Sequence, residues 1–160
     1  MHPDDKYIDI AIEQAKKSLS EGGIPIGAAL IHEGKVIGVG HNMRIQNGSP
    51  IFHGETSALH NAGRQKADVY RNSVLVTTLS PCAMCTGTIL LYRIPKVIIG
   101  ENVNHFGEEE LLRSRGVDVR VLQNEECIDL MKSFISARPE LWFEDIGAMY
   151  HKEITKPSIA

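Results

Sequence analysis

Two short stretches, His53-Gly54-Glu55 and Pro81-Cys82-Ala83-Met84-Cys85, constrain this chain most, because their side chains do joint chemistry only in a fold that brings them together. One imidazole and two thiolates fill three corners of a zinc tetrahedron, and neither half has a neighbouring Cys or His at the spacing of a structural fourth ligand. A three-ligand zinc keeps a position for water, whose pKa drops from about 15.7 in bulk to about 7–9 on the metal. Glu55, two residues from His53, is left over as a carboxylate that can take the proton of that water and pass it on. Either half alone occurs by chance; the two together describe a hydrolytic zinc centre.

The rest of the sequence supplies a frame for it. Tyr7, Ile8, Ala11, Ile12, Ala15 and Leu19 recur at helical spacing between Pro3-Asp4-Asp5 and Gly22-Gly23, which act as start and stop signals. Ile26 to Ile31 and Val36 to Val39 read as a hairpin turning at His32-Glu33-Gly34-Lys35. A polar loop over 41–50 and a short helix from His53 follow. Then come a strand over Val74 to Thr78, a helix from the Pro81-Cys82 turn through Tyr92, and a strand over Lys96 to Gly100. Glu108 to Arg115 reads as a short helix, Val117 to Leu122 as a fifth strand, and 124–138 and 140–150 as closing helices. Helices between the last three strands require those strands to run parallel. The expected architecture is therefore a three-layer α/β/α sandwich on a five-stranded mixed sheet. Both halves of the zinc motif open helices, where free N–H groups and the positive dipole end favour thiolate.

With 160 residues, of which 42% are hydrophobic, the chain reads as one domain over 1–160, with 148–160 as a carboxyl-terminal tail. No apolar run reaches a membrane span, and Met1-His2-Pro3-Asp4-Asp5 is too acidic for a secretory signal. Three cysteines, two of them in the metal motif, fit a reducing compartment, so a cytoplasmic location is expected. Seventeen basic against twenty acidic residues give a net charge of −3, which provides no footprint for a nucleic-acid backbone. Cys127 shares a helical face with Leu130, Met131 and Phe134 and reads as packing. His60 reads as a surface or partly buried side chain, and Glu108-Glu109-Glu110 as the acidic first turn of a helix.

Seven stretches carry a specific resemblance: Glu21-Gly22-Gly23-Ile24-Pro25-Ile26-Gly27, Gly40-His41-Asn42-Met43-Arg44, His53-Gly54-Glu55, Thr77-Thr78-Leu79-Ser80-Pro81-Cys82, Met84-Cys85-Thr86-Gly87, Gly100-Glu101-Asn102-Val103-Asn104 and Trp142-Phe143-Glu144-Asp145-Ile146-Gly147. In order and spacing they resemble fungal-type cytosine deaminases, part of the cytidine deaminase-like superfamily of zinc deaminases, over about residues 9–147. The resemblance implies a homodimer, one Zn2+ per chain and a free nucleobase as small-molecule substrate, with neither membrane nor nucleic acid as partner. It puts the zinc ligands on His53, Cys82 and Cys85 and the proton shuttle on Glu55. It also implies that Asn42 reads the pyrimidine edge, that the Gly54 backbone donates to the ring carbonyl, and that the Ser80 carbonyl accepts from the departing amine. Asp145 would pair with a polar substrate group, Trp142 would line the closing wall and Ile24 the apolar face. After Asn104 the family places an aromatic residue toward the pocket; this chain has His105-Phe106 in a loop one residue shorter, and either side chain fills that role. Pro50-Ile51-Phe52, just before the zinc histidine, also departs from the family, with Phe52 bulkier than the usual neighbour.

The implied reaction is hydrolytic deamination of cytosine to uracil and ammonia, by zinc hydroxide attack at C4 with Glu55 relaying protons to N3 and then to the amine. The same chemistry would serve creatinine or a guanine-like base. A nucleoside or tRNA adenosine deaminase shares the zinc motif, but an RNA loop needs a basic face, for which the tail offers only His151, Lys152 and Lys156.

Overall fold

A two-residue turn at Glu33 and Gly34, both at positive φ (48° and 76°), has the hand that matches strand twist and closes the hairpin of β1 (Gly27–His32) and β2 (Lys35–His41). The computed structural model describes residues 2–151; Lys152 and Lys156 lie outside the described residues. β1 pairs antiparallel with β3 (Ser73–Leu79), Ala29 standing opposite Val76. β4 (Lys96–Glu101) and β5 (Asp118–Val121) then add in parallel, giving one sheet in the order β2-β1-β3-β4-β5. The five-stranded mixed sheet is the one the sequence predicts.

Strand alternation divides the core into two layers. Leu30, Leu75, Val97 and Ile99 point to the face covered by Leu59 of α3 (Gly54–Ala62), Ile89 of α5 (Ala83–Tyr92) and Leu112 of α6 (Glu109–Ser114). Ala29, Ile31, Val76 and Ile98 point to the other face, under Ile8, Ala11 and Ile12 of α1 (Ile8–Ser20) and Cys127 of α7 (Glu125–Ala137). Cys127 is thus a packing residue, and burial pushes its thiol up to about 12. A third cluster, with Ile24, Ile26, Leu79, Met131, Phe134 and Trp142, packs α8 (Pro139–Asp145) over the carboxyl end of β3. That end of a parallel sheet is where α/β folds place their sites.

Four elements differ from the sequence reading. Arg44–Asn47 and Ala67–Arg71 are short helices, α2 and α4, within segments too short to show helical periodicity. The last helix stops at Asp145 and does not continue to 150, because Gly147 adopts a left-handed φ of 68° and ends it. A 3-10 turn over Pro3–Tyr7 precedes α1. α3 lies flush on β2 because Gly40 has no side chain: a Cβ there would come within 2.7 Å of the Ser57 Cβ. No helix among the described residues is long and apolar enough to cross a membrane.

Candidate active site

His53 and Cys82 occupy the residue just before α3 and just before α5, both in extended backbone, so each helix begins beside the same point. Thr56 fixes the His53 end by accepting from its backbone N–H at 2.9 Å. Cys85 and Glu55 then fall in the first turns of α5 and α3. The ligating atoms of His53, Cys82 and Cys85 all lie within 4.8 Å of one another, and among the described residues this is the only such group of His, Cys, Asp or Glu. His53 Nδ1 is the nitrogen that faces Cys82, with Sγ at 3.4 Å. One imidazole and two sulfurs with no fourth protein ligand fit a hydrolytic zinc site.

The electrostatics suit a cation. The Cys85 thiol and, despite burial, His53 beside it hold Cys82 down at about 4, so it is a thiolate. The neighbouring Cys82 thiolate and then burial push Cys85 well up. Burial would lower His53, but Asp145 and Cys82 outweigh it and hold the imidazole at about 10. Burial, followed by the Cys82 charge, raises the Glu55 carboxyl.

Asp145 occupies a joint. Its Oδ2 accepts from Asn42 Nδ2 at 3.1 Å, and its Oδ1 lies 3.2 Å from His53 Nε2, outside hydrogen-bond alignment. A carboxyl behind a metal-ligating histidine fixes the ring and its tautomer. Asn42 is fully buried; its Oδ1 accepts from Arg44 N at 3.0 Å, which leaves one N–H and one lone pair for another molecule. Gly54 opens α3 and sits close to Ile26 O, a Cβ meeting it at 3.3 Å. Ser80, Trp142 and His105 line the cavity, as do Ile26, Leu79 and Ile146. Ile24 is fully buried in the cluster with Ile26 and Trp142, and Ile26 provides the apolar wall. Of the two residues after Asn104, His105 turns to the cavity and meets Trp142 edge-on, whereas Phe106 is 57% exposed. The cavity is narrow, about 20 Å3, and Trp142, Asp145 and Ile146 at the end of α8 form one side of it.

Three residues escaped the sequence reading. Thr77 donates to Glu55 Oε1 at 2.8 Å, while Cys85 Sγ lies 3.1 Å from Oε2. Two adjacent threonines in an otherwise apolar buried strand were the available signal. Glu109, in the acidic first turn of α6, is buried and accepts from Ser80 Oγ at 2.6 Å; that hydroxyl in turn accepts from Gly107 N at 2.9 Å. Glu101, also buried, accepts from the backbones of Val103 and Asn104 at 2.7 and 2.9 Å and from Asn104 Nδ2 at 2.8 Å. Nothing in a run of three glutamates distinguishes the one that turns inward. His60 is exposed and packs on Phe52 at 5.1 Å between centroids.

Residues 1–101, which carry all three metal-facing side chains and Glu55, match the family of the cytidine and deoxycytidylate deaminase zinc-binding region. The chain belongs to that family. Among deaminases of this kind it is 55% identical over 145 residues to a cytosine deaminase of Candida albicans, covering 90% of this chain and 97% of that one. A tRNA-specific adenosine deaminase of Streptococcus pyogenes is 34% identical over 139 residues, covering 80% of this chain and 87% of that one. The fold is also that of a guanine deaminase from Nitrosomonas europaea, with a TM-score of 0.68 at 20% identity over 84% of this chain and 85% of that one. As a deaminase of this zinc-binding family the chain is a hydrolase of C–N bonds, and His53, Cys82 and Cys85 are the group that can hold one zinc.

Proposed function

We propose that this chain converts free cytosine and water to uracil and ammonia. The observation that carries the reading is the buried Glu55 carboxyl set against a three-ligand metal group, in a cavity closed by α8, in a chain similar throughout to a cytosine deaminase. His53, Cys82 and Cys85 would hold a zinc ion, which would supply an activated water. As the water oxygen added to C4, Glu55 would take its proton and give it to ring nitrogen N3; relay of the remaining hydroxyl proton to the amine would then let the C4–N bond break, so that ammonia leaves and the oxygen stays as the C4 carbonyl of uracil. Thr77 holds one carboxyl oxygen so that the other faces the metal side. Asn42, fixed by Asp145 and Arg44, presents its remaining donor and acceptor to the N1–C2 edge, with the Gly54 backbone as a further donor. The Ser80 carbonyl accepts from the amine, and Trp142, Ile26 and Ile146 exclude solvent.

A tRNA substrate draws support from the 34% identical relatives, but a net charge of −3 and a cavity closed by α8 favour a free base. The chain acts in the cytoplasm as a homodimer in this reading, joined through the outer face of α5, a helix without a charged residue whose Leu91 is 71% exposed. The test is ammonia release from zinc-loaded protein given cytosine, creatinine, guanine, cytidine and a tRNA anticodon stem. Cytosine should be the best substrate; faster turnover of any other member of the panel would replace this assignment.

A further inference from the structure

The polar groups lining the cavity gather around the metal ligands: His53 lies against both Cys82 and Asp145, Glu55 feels the charge of Cys82 and His53, and Ser80 stands two residues before Cys82. The rest of the lining is Ile26, Leu79, Trp142 and Ile146, with one polar ring set among them, that of His105. Its centroid is 5.7 Å from that of Trp142, with the ring planes at 81°, an edge-on packing that fixes the imidazole. Among the described residues no group hydrogen-bonds to either His105 nitrogen. The loop that presents the ring is held at both ends, by Glu101 on Val103 and Asn104 and by Ser80 Oγ on Gly107. His105 is therefore a held polar group without a protein partner, in an otherwise apolar wall.

This step rests on the cytosine reading. A pyrimidine with C4 and N3 toward the metal ligands and Glu55, and N1 and C2 toward Asn42 and Gly54, has one edge left, C5–C6, for the wall of Trp142 and His105. We propose that His105 is a specificity-determining residue that meets this edge and favours pyrimidine bases carrying a hydroxyl at C5 over those carrying a methyl group of the same size. A hydroxyl donates and accepts, so it pairs with an imidazole nitrogen in either tautomer; a methyl leaves that nitrogen against carbon. Sites built to hydrogen-bond a substituent reject analogues without it far better than apolar pockets reject an extra group.

The experiment measures kcat/KM by ammonia release for cytosine, 5-hydroxycytosine and 5-methylcytosine in zinc-loaded wild type, His105→Phe and His105→Asn. Intrinsic reactivity of the bases is common to all three proteins, so the change in the hydroxy-to-methyl ratio reports His105. That ratio should fall about tenfold in His105→Phe, the size of one neutral hydrogen bond, and His105→Asn should retain part of it. An unchanged ratio in both variants overturns the proposal. Should His105→Phe fail to fold, His105→Leu, which also lacks a hydrogen-bonding group, takes its place, and an unchanged ratio there with full zinc content does the same. Absence of ammonia from all three bases with wild type would sink the cytosine reading itself, whereas turnover of cytosine with unaltered ratios sinks only the role of His105.

Discussion

A carboxyl group that is both buried and next to a thiolate resists ionisation, and Glu55 is in that position beside Cys82. Such a group takes up a proton more readily than a free carboxylate does, which suits a relay. Glu55→Ala should lower kcat by about 10²–10⁴ while zinc content, measured by elemental analysis, stays at one per chain. Thr77 opposes the upward shift by donating to the ionised form. Thr77→Val removes that donor, so the Glu55 pKa rises further. Because Glu55 must be ionised to take the proton of water, the acid limb of the kcat/KM profile should move to higher pH; a limb that stays put would separate Thr77 from proton transfer. Metal removal has its own signature at this scale. In protein stripped of zinc at pH 7, His53, held at about 10, and the raised Cys85 carry protons, whereas Cys82, at about 4, does not. Rebinding zinc should release two protons from the ligands, one each from His53 and Cys85. Calorimetry of Glu55→Gln protein in buffers of different ionisation enthalpy counts them without a contribution from Glu55.

At the scale of elements, what the sequence made legible were features written in local patterns: the hairpin, the parallel strands and the two helix starts that converge on the metal. Hydrophobic periodicity and the His-x-Glu and Cys-x-x-Cys spacings are local, and they survive folding. α2 and α4, at four and five residues, lie below the length at which periodicity can be read. Glu109 and Thr77 gain their roles from contacts across 29 and 22 residues of chain, which no local pattern encodes. The two contacts of Asp145 likewise join α8 to the residue after β2 and the residue before α3, over 103 residues in the case of Asn42. Glu109→Ala should lower stability by about 1–3 kcal/mol in denaturant titration, since the Ser80 hydroxyl loses its buried acceptor and the hold that orients it toward Gly107 N. It should also raise KM for cytosine, because the 102–107 loop loses one of its anchors; an unaltered KM would detach that loop from the site. The 3-10 turn before α1 is tied to β5 by Asp5 and Arg120, with both contacts at 2.8 Å. Arg120, outweighing burial, holds Asp5 down from 3.8 to about 2. A depressed pKa contributes stability above the unfolded value and loses it as pH falls toward the folded one. Wild type should therefore exceed Asp5→Asn in Tm near pH 6, and the two curves should converge as pH falls from about 4 to 2. A constant gap across that window would assign the effect to something other than the ion pair.

For the whole molecule, the decisive surface is the one that α5 turns away from the sheet. Ala83, Gly87 and Leu91 succeed one another at helical spacing and are exposed, and the helix Ala83–Tyr92 has no charged residue to solvate that face. Beside it Ile51 is 58% and Tyr92 41% exposed, so the apolar surface is continuous with the loop that leads into His53. A monomer rarely leaves a patch of this kind to water. Gly87 would let a partner helix come close, since no atom lies within 4 Å of the position a Cβ would take. The same helix carries Cys82 and Cys85 at its start, so pairing through α5 would brace two metal ligands at once. Leu91→Glu adds a charge at a site that is 71% exposed and should leave the monomer fold intact. In light scattering, wild type should have twice the 17.7 kDa chain mass at micromolar concentration and Leu91→Glu the single mass. The monomeric variant should also lose zinc to a chelator faster than wild type does, because its ligand helix is then held on one side alone. A wild-type protein of single mass, or a variant that stays dimeric, would show that this face meets no second copy, and an unchanged rate of zinc loss in a monomeric variant would show that the ligand helix needs no bracing.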